Sequence, residues 1–256
     1  MKQGRILLCG RNVSVLSMIY NELSRELDVP LVLVEEKRPL PSRIAGRIRR
    51  KGIKKVFGQV LFSRLVLAGL RRQAKPIREE IIESYRLGTG EIDTTALISV
   101  PSINHPTALE CFCETGFSAA ALFGTSIMTA GSLDRIGLPL VNLHLGLSRY
   151  YRGLNCTYWA LVDGRPEACG VTVHLVEKGL DSGPILAEKK ILPDPGDNFA
   201  VYDFRNLAEG IPLLRKTLAG ICEKGLPEPG MRGKGVLRTT PTLAEYLHNK
   251  ETAGIT

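Results

Sequence analysis

The 256-residue chain is 44 % hydrophobic and 23 % charged, with a formal net charge of +8. That balance describes a globular domain with a sizeable core and excludes a disordered or fibrous chain; no apolar run reaches the ~18 residues that a membrane-spanning helix needs. The positive charge is local: residues 37–78 hold 14 Lys/Arg and no Asp/Glu, while the rest holds 20 basic against 26 acidic residues, which is a poor argument for nucleic-acid binding by the whole protein.

In chain order, Arg5–Cys9 (RILLC) reads as a first strand, its apolar core being too short for a secretory signal. Gly10-Arg11-Asn12-Val13-Ser14 turns into a helix over Ser14–Leu27. The turn lacks the G-x-G-x-x-G of dinucleotide sites, but the N–H groups that open the helix suit an anion. Pro30–Glu35 is a second strand. The basic segment follows, and its apolar middle, Val56–Leu70, reads as a packed helix, a lid, a dimer face or an interfacial helix. The cationic flanks suit an anionic acceptor, anionic lipid or RNA. Ile77–Tyr85 reads as helix and Leu97–Val100 as a strand. The turn Pro101–Pro106 either presents Asn104 and His105 to a ligand or caps the next helix, Thr107–Thr115. Ala119–Phe123 is a small, apolar strand followed by Gly124-Thr125-Ser126-Ile127.

Val141–Ile185 carries the chemistry. Leu138–Leu145 is apolar apart from Asn142 and His144, and residues two apart on a strand share a face. The pair sits at the carboxyl end of its strand, where open α/β sheets bind ligands. A short helix (Cys156–Val162), a strand (Gly170–Val176, with Thr172 and His174 on one face), a Gly-bracketed turn (Glu177–Gly183) and another strand (Pro184–Ile191) follow. Folded as such a unit, the chain can bring Asp181 beside His144. An amide holds an oxyanion, a histidine moves a proton near neutral pH, and a carboxylate favours and orients its imidazolium. No Ser or Cys nucleophile stands beside a base in this stretch, so direct attack by an acceptor is expected.

Asn142-Leu-His144, Tyr151-Arg152-Gly153, Gly170-Val-Thr-Val-His174 and Leu180-Asp181-Ser-Gly183-Pro184 resemble, in order and spacing, the formyltransferases that use 10-formyltetrahydrofolate. These act on glycinamide ribonucleotide, methionyl-tRNA or amino sugars. The departure is Leu145-Gly146-Leu147-Ser148-Arg149, where Pro-Ser-Leu-Leu-Pro is usual; it bears on the acceptor pocket. The resemblance implies a doubly wound, mostly parallel α/β sheet, with Asn142, His144 and Asp181 catalytic. It implies that Phe123, Gly124, Thr125, Ser126 and Ile127 face Val176, Glu177, Lys178 and Gly179 across the folate pocket. Gly10, Arg11 and Asn12, with Asn104, Arg152 and His174, fall on the acceptor side.

Phe199–Glu223 reads as one or two helices, Gly225–Gly235 as a linker, and Leu237–Lys250 as a small terminal element. The expected organisation is a catalytic domain over 1–223 with a basic insertion at 37–78, then a linker and small element over 224–256. Six scattered cysteines without C-x-x-C spacing and four histidines without H-E-x-x-H spacing point to no disulfide or metal, and to a reducing cytoplasm. The expected function is N-formyl transfer to a primary amine, an anionic amino sugar on a nucleotide or lipid phosphate. A formyltetrahydrofolate hydrolase, a non-catalytic folate-binding module and a membrane-surface module are the alternatives. No nucleic-acid partner is expected, because few residues follow Leu192. Membrane contact through 37–78 and a homodimer stay open.

Overall fold

The computed structural model describes residues 4–37, 39–93, 97–228 and 230–256. A seven-stranded sheet runs through the molecule in the order β3-β2-β1-β4-β5-β7-β8. Its strands are β1 (Arg5–Gly10), β2 (Asp28–Glu35), β3 (Leu97–Val100), β4 (Ala119–Phe123), β5 (Leu140–His144), β7 (Gly170–Leu175) and β8 (Ile185–Lys190). The first five are parallel, and β7 and β8 are antiparallel to their neighbours. This is the doubly wound, mostly parallel sheet expected from the sequence.

The near-continuous apolar runs of β1 and β4 follow from burial on both faces. Ile6, Leu8, Ala119 and Ala121 point into one core with helices α1 (Val13–Leu23), α4 (Leu67–Ser84) and α8 (Phe199–Lys224). Leu7, Cys9, Ala120 and Leu122 point into the other, with α5 (Pro106–Cys113) and Leu133 of α6 (Ala130–Leu133). The chain starts at the centre, winds outward through β2 and β3, then returns to β4 on the other side of β1. That reversal opens a crevice at the carboxyl ends of β1 and β4. There Gly10 is in register with Phe123, and a Cβ on Gly10 would sit 2.6 Å from the Phe123 carbonyl oxygen.

The basic segment is three helices in succession, α2 (Leu40–Lys51), α3 (Ile53–Leu65) and α4. The single apolar helix expected over Val56–Leu70 is thus broken at Val66. Its second half continues through the helix expected at Ile77–Tyr85. The segment is no loose insertion, because Ala74 and Ile81 of α4 join the main core. Phe62 of α3 joins a third cluster with Tyr151, Phe199, Tyr246, and Tyr158 and Trp159 of α7 (Cys156–Val162).

The stretch read as a linker and small terminal element packs onto the domain. Strand β9 (Val236–Arg238) pairs in parallel with β6 (Tyr151–Gly153), and α9 (Leu243–Ala253) delivers Tyr246 to that third cluster. α8 is one continuous helix despite Pro212. Among the described residues no helix is long and apolar enough to cross a membrane.

Candidate active site

The site is built on β5. Its period of two puts Asn142 and His144 on one side, and β7 places His174 across from Asn142 and Thr172 across from His144. Asn142 Nδ2 lies 3.1 Å from His174 Nε2. The other ring nitrogen, Nδ1, donates to the Leu175 carbonyl at 2.8 Å. Nε2 faces both the Asn142 amide and Asp181 Oδ1, the latter at 3.6 Å; where it offers its lone pair, the Asn142 amide spends one N–H on it. The second N–H is left for a ligand in the cleft that Asn142 lines.

His144 is buried. Its Nδ1 lies 3.4 Å from Asp181 Oδ2, and its Nε2 lies 3.2 Å from the Tyr151 carbonyl oxygen. Burial pulls the His144 pKa below the ordinary histidine value, outweighing Asp181 and the Tyr151 carbonyl, which pull it up. A protonated resting His144, expected from its carboxylate neighbour, therefore gives way to a neutral ring. Burial also works to raise the Asp181 pKa, but the His174 and His144 rings and the Gly153 N–H outweigh it and hold the carboxyl below its ordinary value. The result is a neutral acid–base group beside a fixed negative charge.

A second correction concerns nucleophiles. Cys156 Sγ lies 3.5 Å from His144 Nε2, so a thiol does stand beside the base. Cys156 is fully buried, and burial pushes its pKa well above the ordinary value. It stays a protonated thiol and fills space.

Asp181 reaches His144 from a tight turn. Its backbone is left-handed, with φ 49°, and the Gly153 N–H donates to its Oδ2 at 3.0 Å. The glycine-rich tail crosses this turn. The Gly235 N–H donates to the Ser148 carbonyl at 3.0 Å, Arg232 pairs with Glu177, and a Cβ on Gly233 would fall 2.3 Å from the Asp181 carbonyl oxygen. Those glycines serve close approach rather than flexibility.

Opposite Asp181 lies the loop after β4. Glu35, buried at the end of β2, accepts from the Ser126 N–H at 2.7 Å, bonds the Ser126 hydroxyl, and pairs with Arg11 at 3.1 Å. Burial works to raise the Glu35 pKa, but Ser126 and Arg11 outweigh it and keep the carboxyl below its ordinary value. Asn104 braces the same loop, donating to the Ile127 carbonyl at 3.0 Å and accepting from the Thr129 N–H at 2.8 Å.

The sequence-predicted residues thus divide. Asn142, His144, Asp181, His174, Phe123, Gly124, Thr125, Ser126, Ile127, Val176, Glu177 and Gly179 line one cleft. Gly10, Arg11, Asn12, Asn104, Arg152 and Lys178 do not. Arg11 is held by Glu35, Asn12 caps α1 through the Ser14 N–H, and Arg152 donates to the Gly235 carbonyl. Lys178 faces Asp134 at 3.3 Å.

Two polar cleft residues, Asn155 and Asp203, escaped the sequence reading. Asp203 on α8 lines the cleft, and burial pushes its carboxyl up to about 7. Asn155 Nδ2 donates to it at 3.2 Å, while Asp203 Oδ1 and Asn155 Oδ1 have no hydrogen-bond partner among the described residues. The apolar Ile127, Leu154 and Leu180 also line the cleft. Apolar walls and a few fixed polar groups make this a site for a small organic ligand. Among the described residues no His/Cys/Asp/Glu cluster is arranged to hold a metal ion.

Residues 117–209 match the family model described as "Formyl transferase". Over 104 residues the chain is 34 % identical to a methionyl-tRNA formyltransferase from Pelobacter propionicus, covering 40 % of this chain and 32 % of that protein. The chain spans about a third of the length of the curated relatives it matches. The fold is similar to that of glycinamide ribonucleotide transformylase 1 from Symbiobacterium toebii, with TM-score 0.57, 18 % identity, and 90 % of this chain and 93 % of that one covered. It is also similar to a sugar N-formyltransferase from Shewanella sp., with TM-score 0.55, 15 % identity and coverage of 92 % and 76 %. These likenesses show the fold, and the segment that matches the formyl transferase model contains Asn142, His144 and Asp181.

Proposed function

We propose that this protein transfers the formyl group of 10-formyltetrahydrofolate to a primary amine. The observation that carries this is the convergence of the Asn142 amide, the buried His144 and the Asp181 carboxylate on one cleft. The amine nitrogen attacks the formyl carbon and a new C–N bond forms. The free Asn142 N–H stabilises the oxyanion of the tetrahedral intermediate. His144, neutral at rest, takes the proton leaving the amine, and Asp181 stabilises the imidazolium that results. The C–N10 bond breaks as that proton passes to N10, releasing tetrahydrofolate and a formamide.

The pterin is placed between the loop Phe123–Ile127 and the turn Val176–Leu180. The acceptor is assigned as an amino sugar carried on a nucleotide or lipid phosphate. Support comes from the similarity to a sugar N-formyltransferase and from the excess of cations in residues 37–78. Among the described residues none of those cations lines the cleft, so any help they give an anionic acceptor acts at long range.

The test is an acceptor screen with 10-formyltetrahydrofolate. It spans amino-sugar nucleotides, lipid-linked amino sugars, glycinamide ribonucleotide and methionyl-tRNA, and follows tetrahydrofolate release and product mass. A formylated amino sugar is the expected product. Formate released at full rate without any amine makes the protein a hydrolase. Tight folate binding without release of either product makes it a binding module.

A further inference from the structure

Residues 40–78 fold into α2, α3 and the first part of α4, and among the described residues of this segment none lines the cleft. Formyl transfer leaves the apolar part of their surface unexplained. Helix α3 has two faces. Val56, Gln59 and Phe62 are buried on one, where Phe62 meets Phe199 at 5.0 Å and Tyr246 at 4.9 Å between ring centroids. The other carries Ile53, Phe57 and Val60, whose spacing of four and three makes a single stripe. Ile53 is 67 % exposed and Phe57 63 % exposed, and Leu65 lies exposed in the last turn. Exposed apolar side chains grouped on one helix face mark an interaction site.

The same three helices carry exposed cations. Arg49, Arg50, Lys54, Arg64, Arg71 and Arg72 are exposed, and among the described residues none of them forms an ion pair. Their neighbours Lys55 and Lys75 do, each at 3.8 Å, with Glu245 and Glu79. The repulsion is felt locally: burial, then Arg47, Lys55 and Arg50, pull the Lys51 pKa below its ordinary value.

An apolar helical stripe flanked by unpaired Lys and Arg matches a helix lying in the headgroup region of a bilayer. Other occupants fit less well. A second copy docked across a two-fold axis on α3 would bring like charges together. RNA would engage the cations and leave Ile53, Val60 and Leu65 without a role, because its phosphates and bases recruit cationic and aromatic side chains.

We infer that α2 and α3 form a docking surface for an anionic lipid bilayer, with Ile53, Phe57 and Val60 at the acyl boundary and the flanking Arg and Lys among the headgroups. The inference stands apart from the formyl-transfer reading and survives its failure.

The experiment is sedimentation of the full chain with phosphatidylcholine vesicles, with and without phosphatidylserine. Binding is expected with phosphatidylserine and absent without it. Arg49→Glu with Arg50→Glu should weaken it at least about tenfold, since each cation near an anionic leaflet is worth roughly 1 kcal/mol. Ile53→Ser with Phe57→Ser should weaken it comparably at unchanged net charge. A Phe57→Trp variant should shift its emission to the blue on adding anionic vesicles, with buried Trp159 constant. Circular dichroism melts check that each variant is folded. The inference is overturned if the wild type ignores anionic vesicles, or if the Ile53/Phe57 variant binds as tightly as the wild type. It is equally overturned if single-stranded RNA binds more tightly than the vesicles do, or if light scattering finds a dimer that Phe57→Ser dissolves.

Discussion

When the His174 ring is neutral, the Asn142 amide donates to it across the β5–β7 ladder at 3.1 Å, and the Leu175 carbonyl fixes which His174 nitrogen accepts. This bond sets the amide's orientation and so the aim of its remaining N–H. Asn142→Ala is expected to lower kcat by about 10²–10³, the scale for one oxyanion donor. His174→Leu leaves the donor in place but unaimed. It should cost less, about 10-fold to 100-fold, as for a group that orients a primary one. Steady-state tetrahydrofolate release with the acceptor from the screen measures both. Equal losses would mean that His174 touches the substrate itself.

The acid–base pair gives a pH signature. Burial lowers the His144 pKa and Asp181 opposes that shift. Asp181→Asn should therefore lower the His144 pKa further, moving the acidic limb of the kcat/KM profile to lower pH while reducing its plateau. The stability consequence has a defined sign. A histidine whose folded pKa is depressed takes up its proton more readily when unfolded. Its contribution is present above the unfolded value of about 6.5 and is lost as pH falls through the folded pKa. NMR titration of the His144 ring, with thermal melts of the wild type and His144→Gln across that window, checks both statements. A His144 pKa unchanged in Asp181→Asn would reduce Asp181 to a cleft wall.

Much of this site was legible before the fold was. Periodicity put Asn142 and His144 on one face of an apolar strand, and glycines bracket the Asp181 turn, but the grouping of the three as a site rested on the resemblance to the formyltransferases. Glu35 and Asp203 were not legible. Glu35 ends an apolar strand and looks like its solvated last residue, while Asp203 sits on a helix where a carboxylate is ordinary. Their roles come from burial beside chain segments far away in sequence, which periodicity does not encode. The tail misled for a related reason: glycines at 225–235 signal flexibility when read locally, whereas Gly233 and Gly235 are small because the backbone passes close to Asp181 and Tyr150.

Asp203 should act as a brake on stability at alkaline pH. Burial raises its pKa to about 7, so the folded state holds a proton that the unfolded state releases near 3.9. The stabilisation is full below the unfolded pKa and is lost as pH rises through about 7. Asp203→Asn keeps an oxygen for Asn155 and removes the ionisation. Its melting temperature should match the wild type near pH 4 and exceed it above pH 8, on the sign rule for a raised carboxyl pKa. A melting difference that does not change with pH would show that Asp203 is not held protonated.

The tail crossing tests whether Asp181 is positioned from outside its own turn. A methyl on Gly233 would lie 2.3 Å from the Asp181 carbonyl oxygen and 3.0 Å from Ser148 Oγ. Backbone cannot yield as a flexible side chain does, so Gly233→Ala must displace the tail, the turn, or both. Overpacking of this kind costs about 1–3 kcal/mol. If the tail alone moved, stability would fall and kcat would hold. The Asp181 side chain, however, is tied to the Gly153 N–H in β6, and β6 pairs with β9 just beyond Gly235. A displaced tail therefore shifts both partners of the bond that aims the carboxylate at His144. Gly233→Ala should lower kcat as well as the melting temperature. Gly230→Ala is the control, because its Cβ would meet the Ile185 carbonyl oxygen at 2.8 Å, away from the Asp181 turn. Its melting temperature should fall with kcat nearly unchanged. Matching kcat losses in the two variants would trace the effect to general destabilisation rather than to the aim of Asp181.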